Sequence, residues 1–131
     1  TNEVKYDVIV RIRTDTTYYN KLCLDDIKNC INDNSFYLAE WHKKYRHVTQ
    51  ELMDSFFFGN YEVMSKICNT YLNISEYMNQ KSEGLPDTSE TFLFKTITKN
   101  NIPIRRTGIK YGLIRQNPDG TIYVENMTTK E

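Results

Sequence analysis

The segment from Thr91 to Met127 constrains the fold most, because it contains the clearest strand–turn–strand pattern in the chain. Two apolar runs, Thr107 to Gln116 and Thr121 to Met127, flank the tetrapeptide Asn117-Pro-Asp-Gly120. Proline at the second position and glycine at the fourth are typical of a type I turn, so the pattern predicts a β-hairpin. Phe92 to Ile97 predicts a third strand just before it. A sheet with one apolar face must bury that face, so the preceding chain is expected to cover it.

The N-terminal part of the chain predicts one strand and one short helix. Apolar and other residues alternate from Val4 to Ile12, which is the period of a half-buried strand. The face predicted to be buried carries Val4, Tyr6, Val8, Val10 and Ile12. A short helix is predicted from Leu24 to Ile31, because acids in its first turn suit the positive end of a helix dipole.

Two longer amphipathic stripes follow. Leu38, Trp41, Tyr45, Val48, Leu52 and Phe56 are spaced three or four apart, as are Met64, Ile67, Tyr71, Ile74 and Met78. Ser35 and Asn60 are suitable N-caps, and Gly59 ends the first stripe. This pattern predicts an antiparallel helical hairpin from Ser35 to Gln80. The polar segment Ser82 to Glu90 is the predicted loop after it.

Together these elements predict a single α+β domain over residues 1–131. An antiparallel sheet, made of the N-terminal strand and the three C-terminal strands, would be covered on one face by the short helix and the long helical hairpin. No apolar run is long enough to span a membrane, and no leader peptide is evident, so a cytoplasmic protein is expected. The cysteines, Cys23, Cys30 and Cys68, form no CxxC pair and are expected to be reduced and mostly buried.

A local excess of positive charge distinguishes the C-terminal segment in a chain whose formal net charge is zero. Between Lys95 and Arg115 there is no acid; the cations are Lys95, Lys99, Arg105, Arg106, Lys110 and Arg115. Such a run predicts a basic sheet face that binds phosphate groups of RNA or an anionic membrane, with Tyr111 and Tyr123 able to stack on bases. The alternative is a solvated face whose charges pair with acids from the helical half.

Catalytic and metal-binding patterns are not found in the sequence. His42 and His47 are five residues apart and would point in different directions on a helix. The glycines do not form a phosphate-binding loop. We therefore predict no enzyme activity, no catalytic residue, no metal and no cofactor. Tyrosine provides contact area and a hydrogen bond at low entropic cost, so the tyrosines expected in loops or outside the stripes, Tyr18, Tyr19 and Tyr37, are candidate protein contacts.

Three fragments together resemble the globular part of rhabdovirus matrix proteins. They are Val8 to Asp15 with the helix that begins Leu24-Asp-Asp-Ile27, then Thr91 to Phe94, and finally the hairpin from Tyr111 to Val124. The fragments cover about a third of the chain, and the predicted helical hairpin departs from the family. The resemblance implies a non-enzymatic structural protein that self-associates, condenses a viral nucleocapsid and contacts the inner leaflet of the membrane.

The primary hypothesis is therefore a matrix-like viral interaction protein. It would self-associate, and its basic sheet face would contact ribonucleoprotein or anionic membrane. A richness in Asn, Lys, Ile and Tyr with a single alanine, Ala39, indicates an A/T-rich genome and agrees with such an origin. One alternative is a small virus- or phage-encoded regulator that binds a host protein. Another is a nucleic-acid-binding module.

Overall fold

The computed structural model describes residues 4–39, 54–72, 74–75 and 89–128. In these residues the chain is an α+β protein with two separate sheets. The strands are β1 (Val8–Ile12), β2 (Thr16–Tyr18), β3 (Phe36–Ala39), β4 (Phe56–Asn60), β5 (Ile104–Thr107), β6 (Tyr111–Gln116) and β7 (Ile122–Asn126). The helices are α1 (Leu24–Asn32), α2 (Tyr61–Leu72) and α3 (Ser89–Lys99).

The larger sheet, sheet A, has the strand order β1-β4-β3-β5. Its pairs are antiparallel except for β3 and β5, which run parallel with Phe36 beside Ile104. The smaller sheet, sheet B, has the antiparallel order β2-β6-β7. The prediction that the N-terminal strand joins the C-terminal strands in one sheet is therefore wrong, because β1 pairs with β4 and the C-terminal hairpin pairs with β2.

Sheet A separates two apolar clusters. On one face, Phe36, Leu38 and Phe57 pack with residues of α2 and α3, including Ile67 and Ile97. On the other face, alternate residues of β3 and β4 pack with α1 and with the inner face of sheet B; this second cluster includes Tyr37, Phe56, Phe58, Tyr111 and Leu113. The strands β3 and β4 are thus buried on both faces, and none of their residues is exposed.

Burial on both faces explains why the sequence pattern predicts these two strands as the ends of a helix. A strand covered on both sides has no polar alternation, so its apolar residues can also fit a three-and-four spacing. Leu38 lies in β3 and Phe56 in β4, and Ser35 precedes a strand, so the predicted helix is wrong at both ends. Its middle, from Trp41 to Leu52, lies outside the described residues, as do His42 and His47.

Helix α2 begins where the sequence predicts it. The backbone N–H of Val63 donates to Asn60 Oδ1 at 3.0 Å, which makes Asn60 the N-cap. Asn60 Nδ2 also donates to Asn34 Oδ1 at 2.7 Å, so the same side chain ties the start of α2 to the segment after α1. The prediction that this helix continues to Met78 extends beyond the described residues, except for residues 74 and 75.

The predicted strand from Phe92 to Ile97 is wrong, because these residues form part of α3. Thr96 satisfies its hydroxyl within the helix, because Thr96 Oγ1 donates to the carbonyl of Phe92 at 3.0 Å. The helix is followed by Asn101, whose φ of 50° is left-handed, and Ile102 N–H donates to the carbonyl of Ile97 at 3.0 Å. This is a Schellman-type end that returns the buried Ile102 to the core.

The C-terminal hairpin has the predicted turn. Gly120 N–H donates to the Asn117 carbonyl at 2.9 Å, and Gly120 has a φ of 87°, which is accessible to glycine at little cost.

The burial predicted for the side chains of β1 is mostly wrong. Val10 and Ile12 are exposed, whereas Val8 and Ile9 are half-buried, because the second cluster does not extend along the whole strand.

Candidate functional site

The six cations of the predicted basic face lie on three different units of the structure. Lys95 and Lys99 belong to α3, Arg105 and Arg106 belong to β5 of sheet A, and Lys110 and Arg115 lie just before and within β6 of sheet B. They cannot form one face of one sheet, so that part of the prediction is wrong. The physical reason is that residues 92–97 form a helix and that β5 joins a different sheet from the hairpin.

Arg105 and Arg115 are each paired with an acid among the described residues. Arg105 Nε lies 2.8 Å from Asp33 Oδ2, and Arg115 Nε lies 3.0 Å from Glu125 Oε2. Asp33 directly follows α1. The Arg105–Asp33 pair is therefore the kind of contact expected if the cations of the basic segment are a solvated face that pairs with acids of the helical half. Both pairs are at least partly exposed, where ion pairs contribute little to stability. Each pair offsets one of the six positive charges.

The tyrosines predicted to bind partners are placed mainly by the core. Tyr111 is buried, and burial raises its pKa to about 12, so the prediction that it stacks on bases at the surface is wrong. Tyr37 is also buried, and its hydroxyl donates to Asp33 Oδ2 at 2.9 Å. Tyr18 is partly exposed with its ring edge-on to Phe56, whereas the Tyr19 hydroxyl donates to Asn126 Oδ1 across sheet B.

Asp33 is the centre of a polar cleft between α1 and β5. Its carboxylate accepts from the Ser35 hydroxyl at 2.6 Å, from Tyr37 and from Arg105. The hydrogen bond from Ser35, followed by those from Tyr37 and Arg105, lowers the pKa of Asp33 below its usual value. The carboxylate is therefore fixed as an anion, and it holds the Arg105 side chain at the rim of the cleft.

The cleft has a volume of about 500 Å³ and a mixed charge. Its lining residues are Asp26, Lys28, Asn29, Asn32, Asp33, Tyr37, Arg105 and Arg106. Three cations and two carboxylates leave one excess positive charge, if each lysine, arginine and aspartate carries its ordinary charge. Such a site can donate hydrogen bonds to a small anionic group and balance its charge.

A second surface is the outer face of sheet B, which carries apolar rather than charged residues. Ile114 and Val124 are direct neighbours across β6 and β7, and Ile122 lies on the same face beside Gln116. Their exposed fractions are 42% for Ile114, 44% for Val124 and 72% for Ile122. No helix or strand of the described residues covers them. We call Ile114, Ile122 and Val124 the apolar face.

Next to the apolar face, β6 and β7 approach each other closely at Gly112. A Cβ atom on Gly112 would lie 2.5 Å from Val124 Cγ1 and 2.5 Å from the Tyr19 hydroxyl, so only glycine leaves room for these side chains. The sequence predicts the hairpin, but its charge pattern gives no indication of this face. The available signal is the run Ile122-Tyr-Val124, which places apolar side chains on both faces of a strand instead of alternating them with polar ones.

Cysteines and possible metal ligands are the other reactive groups of the described residues. All three cysteines are free; Cys30 is buried, but Cys23 and Cys68 are exposed, so the expectation of mostly buried thiols is wrong. Within the described residues, no group of three or more His, Cys, Asp or Glu side chains is placed to bind a metal ion. In the same part of the chain, no helix combines the length and the apolar character needed to cross a bilayer.

Comparison with known proteins gives no assignment. No family model matches the chain, and no curated protein and no solved structure matches it either. The candidate surfaces are therefore the polar cleft and the apolar face of sheet B, and their function has to be argued from their own geometry.

Proposed function

We propose that the protein is a non-enzymatic interaction domain that binds another protein chain through the apolar face of sheet B. The observation that carries this proposal is the exposure of Ile114, Ile122 and Val124 on one side of a hairpin. Single exposed apolar residues are ordinary on protein surfaces, but adjoining ones on an uncovered sheet face are typical of interaction sites. This role is compatible with the structural function implied by the resemblance to rhabdovirus matrix proteins.

The contribution of the apolar face to the binding free energy follows from the exposed fractions of its three side chains. Complete burial of a valine or isoleucine side chain contributes about 2 kcal/mol, so covering three that are roughly half exposed contributes about 3 kcal/mol. That amount corresponds to a factor of about 100 in a dissociation constant. The apolar face alone is too small for a stable complex, so main-chain or polar contacts around it must add to the affinity.

The test compares association of the wild-type chain with that of two matched variants. Ile122→Glu places a charge on the apolar face, and Leu72→Glu makes the same kind of change at an exposed apolar position on α2. We expect Ile122→Glu to weaken binding of the chain to its own copies, or to a protein captured from its native cell extract, by at least about tenfold. Leu72→Glu should leave binding unchanged. Equal weakening in both variants, or in neither, would contradict the proposal.

A second candidate function rests on the polar cleft. Lys28, Arg105 and Arg106 converge there with two asparagines, and this supports binding of a phosphate group from RNA or from an anionic membrane surface. The proposal retains the ribonucleoprotein or membrane contact expected from the sequence but moves it from a sheet face to the cleft.

The cleft is tested by RNA and anionic-vesicle binding at two salt concentrations. Arg106→Gln should weaken binding and reduce the salt dependence; for duplex RNA the slope should fall by about one unit for each phosphate that is no longer neutralised. Arg115→Gln, which alters a cation paired with Glu125 on sheet B, is the matched control. No affinity for either ligand at low salt would refute this second function. A single stoichiometric host protein would instead favour the regulator hypothesis.

A further inference from the structure

The outer edge of β7 presents main-chain groups that no strand of the described residues pairs with. The hydrogen bonds from Asn117 N–H to the Thr121 carbonyl, and from Met127 N–H to the Tyr111 carbonyl, fix the pattern of the β6·β7 ladder. Odd-numbered residues of β7 direct their N–H and C=O groups toward β6. Because the direction alternates along an antiparallel strand, Ile122, Val124 and Asn126 direct theirs away from the sheet.

This edge differs from the sheet edges that β5 and β2 form in the described residues. Edge strands are ordinarily protected by charge, proline, bulges or short length. β5 begins directly after Pro103 and carries Arg105 and Arg106, and β2 has only 3 residues. Between Ile122 and Asn126 there is no lysine, arginine, proline or glycine.

The one charge on β7 does not protect its edge. Glu125 accepts a hydrogen bond from Arg115 on the neighbouring strand β6, so its side chain is held toward β6 and away from the open edge. Its main-chain groups also point toward β6, as those of every odd-numbered residue of β7 do. The open edge is therefore a five-residue strand whose outward groups belong to two β-branched apolar residues and one asparagine.

We propose that β7 pairs antiparallel with β7 of a second copy of this chain, about a two-fold axis at Val124. The inference rests on the proposed function and specifies its partner. In this register Val124 pairs with Val124 of the second copy, and Ile122 pairs with Asn126 of the second copy. Every outward-facing residue of β7 then exchanges main-chain hydrogen bonds, and the two sheets become one continuous sheet.

The side chains fit this register. Directly opposed residues share a face, so Ile114 and Val124 of one copy form an unbroken apolar row with Val124 and Ile114 of the other. On the opposite face, Glu125 lies beside Tyr123 of the second copy, so no like charges oppose each other. A shift of the register by two residues toward the turn would place Asn126 opposite Gly120, which has a φ of 87°. A shift by two residues in the other direction would place Glu125 opposite Glu125 of the second copy.

A sedimentation equilibrium series of the purified chain tests the pairing. Val124→Lys places two like charges directly opposite each other at the axis and removes the central apolar contact. We expect it to raise the dimer dissociation constant by at least about tenfold. Val10→Lys is the matched control, because Val10 is the same residue on another edge strand and is exposed to 41%, compared with 44% for Val124. It should dimerise like the wild type.

Disulfide trapping tests the register. In a background with Cys23→Ser and Cys68→Ser, Val124→Cys should form a covalent dimer in oxidised glutathione, because hydrogen-bonded pairs place Cα atoms about 5.5 Å apart. Asn126→Cys alone should not form a covalent dimer, because Asn126 of the second copy would lie several residues along the strand from Asn126 of the first. A mixture of Asn126→Cys with Ile122→Cys should form the mixed dimer.

The outcomes separate this inference from the proposed function. A dimer that Val124→Lys weakens and Val10→Lys leaves intact supports the pairing. A dimer that is insensitive to Val124→Lys overturns it, and so does open-ended assembly, which would indicate head-to-tail contacts. A purified chain that stays monomeric also overturns the pairing. In that case the proposed function is still decided by the effect of Ile122→Glu on capture of a different protein.

Discussion

Substitution of Asn60 gives the most direct test of how the layers are joined. Its Oδ1 caps α2 through the Val63 N–H at 3.0 Å, and its Nδ2 donates to Asn34 Oδ1 at 2.7 Å. Removal of an N-cap costs about 1 kcal/mol, and removal of the second hydrogen bond adds about 1 kcal/mol. We therefore expect Asn60→Ala to reduce the free energy of unfolding by about 2 kcal/mol, whereas Asn60→Ser, which retains a cap, should reduce it by about half as much.

Urea denaturation followed by circular dichroism measures this change. The midpoint should fall while the slope stays constant, because the folded surface is not altered. In a thermal scan the change corresponds to a decrease of about 8 °C in Tm for a chain of this size. Asn29→Ala, at an exposed position on α1, is the control and should be nearly neutral. A decrease below about 0.5 kcal/mol for Asn60→Ala would refute the assigned role of this side chain.

Three further predictions concern the cleft, the hairpin and the core. Hydrogen bonds hold the pKa of Asp33 low in the folded state, so the stabilisation that Asp33 contributes is present above the unfolded pKa of about 4 and is lost as pH falls through the folded pKa. The difference in unfolding free energy between wild type and Asp33→Asn should therefore shrink in that acidic range. A difference that stays constant with pH would contradict the hydrogen-bond network around Asp33. Gly112→Ala would force a Cβ to within 2.5 Å of Val124 Cγ1 and should cost about 2 kcal/mol in a denaturant titration; an unchanged midpoint would contradict the close approach of the strands. Ile67→Ala, at a position exposed to only 2%, should cost about 3 kcal/mol, whereas Leu72→Ala on the exposed side of the same helix should be nearly neutral; similar costs would argue against the placement of α2.

The parts of the fold that can be predicted are those whose information is local. The turn at Asn117 to Gly120 requires proline and glycine at particular positions, and Asn60 caps the helix that follows it directly. In both cases the residue that determines the conformation is adjacent to the backbone it stabilises. Neither prediction requires knowledge of what packs against the element.

The strands β3 and β4 cannot be recognised from the sequence because their environment is not local. Each is covered on both faces, so selection for apolar side chains removes the alternation that identifies a surface strand. Helix α3 resembles a strand in sequence for the converse reason. Its phenylalanines and threonines are residue types that favour strands, and tertiary packing on α2 overrides that preference.

The candidate site is the least predictable part, because proximity in sequence is not proximity on a surface. The basic run crosses a helix and two sheets, and its members are separated by the fold. Arg105 meets Asp33 only because β5 lies beside β3, a pairing between distant parts of the chain. The residues of the apolar face are ordinary strand formers, and only the arrangement of the neighbouring layers determines which of their faces stays open.

The pairing of Thr16 with Leu113 determines when the chain can complete its folding. β2 leaves the ribosome early, yet it has no sheet to join until β6 has been synthesised. The parallel pair of Phe36 with Ile104 imposes a similar delay on sheet A. When residues so far apart in sequence come together, the chain loses loop-closure entropy before any stabilising contact has formed, so slow folding is expected. Until then the doubly buried strands β3 and β4 lack part of their cover, and such transiently exposed apolar strands make a partly folded chain prone to aggregation.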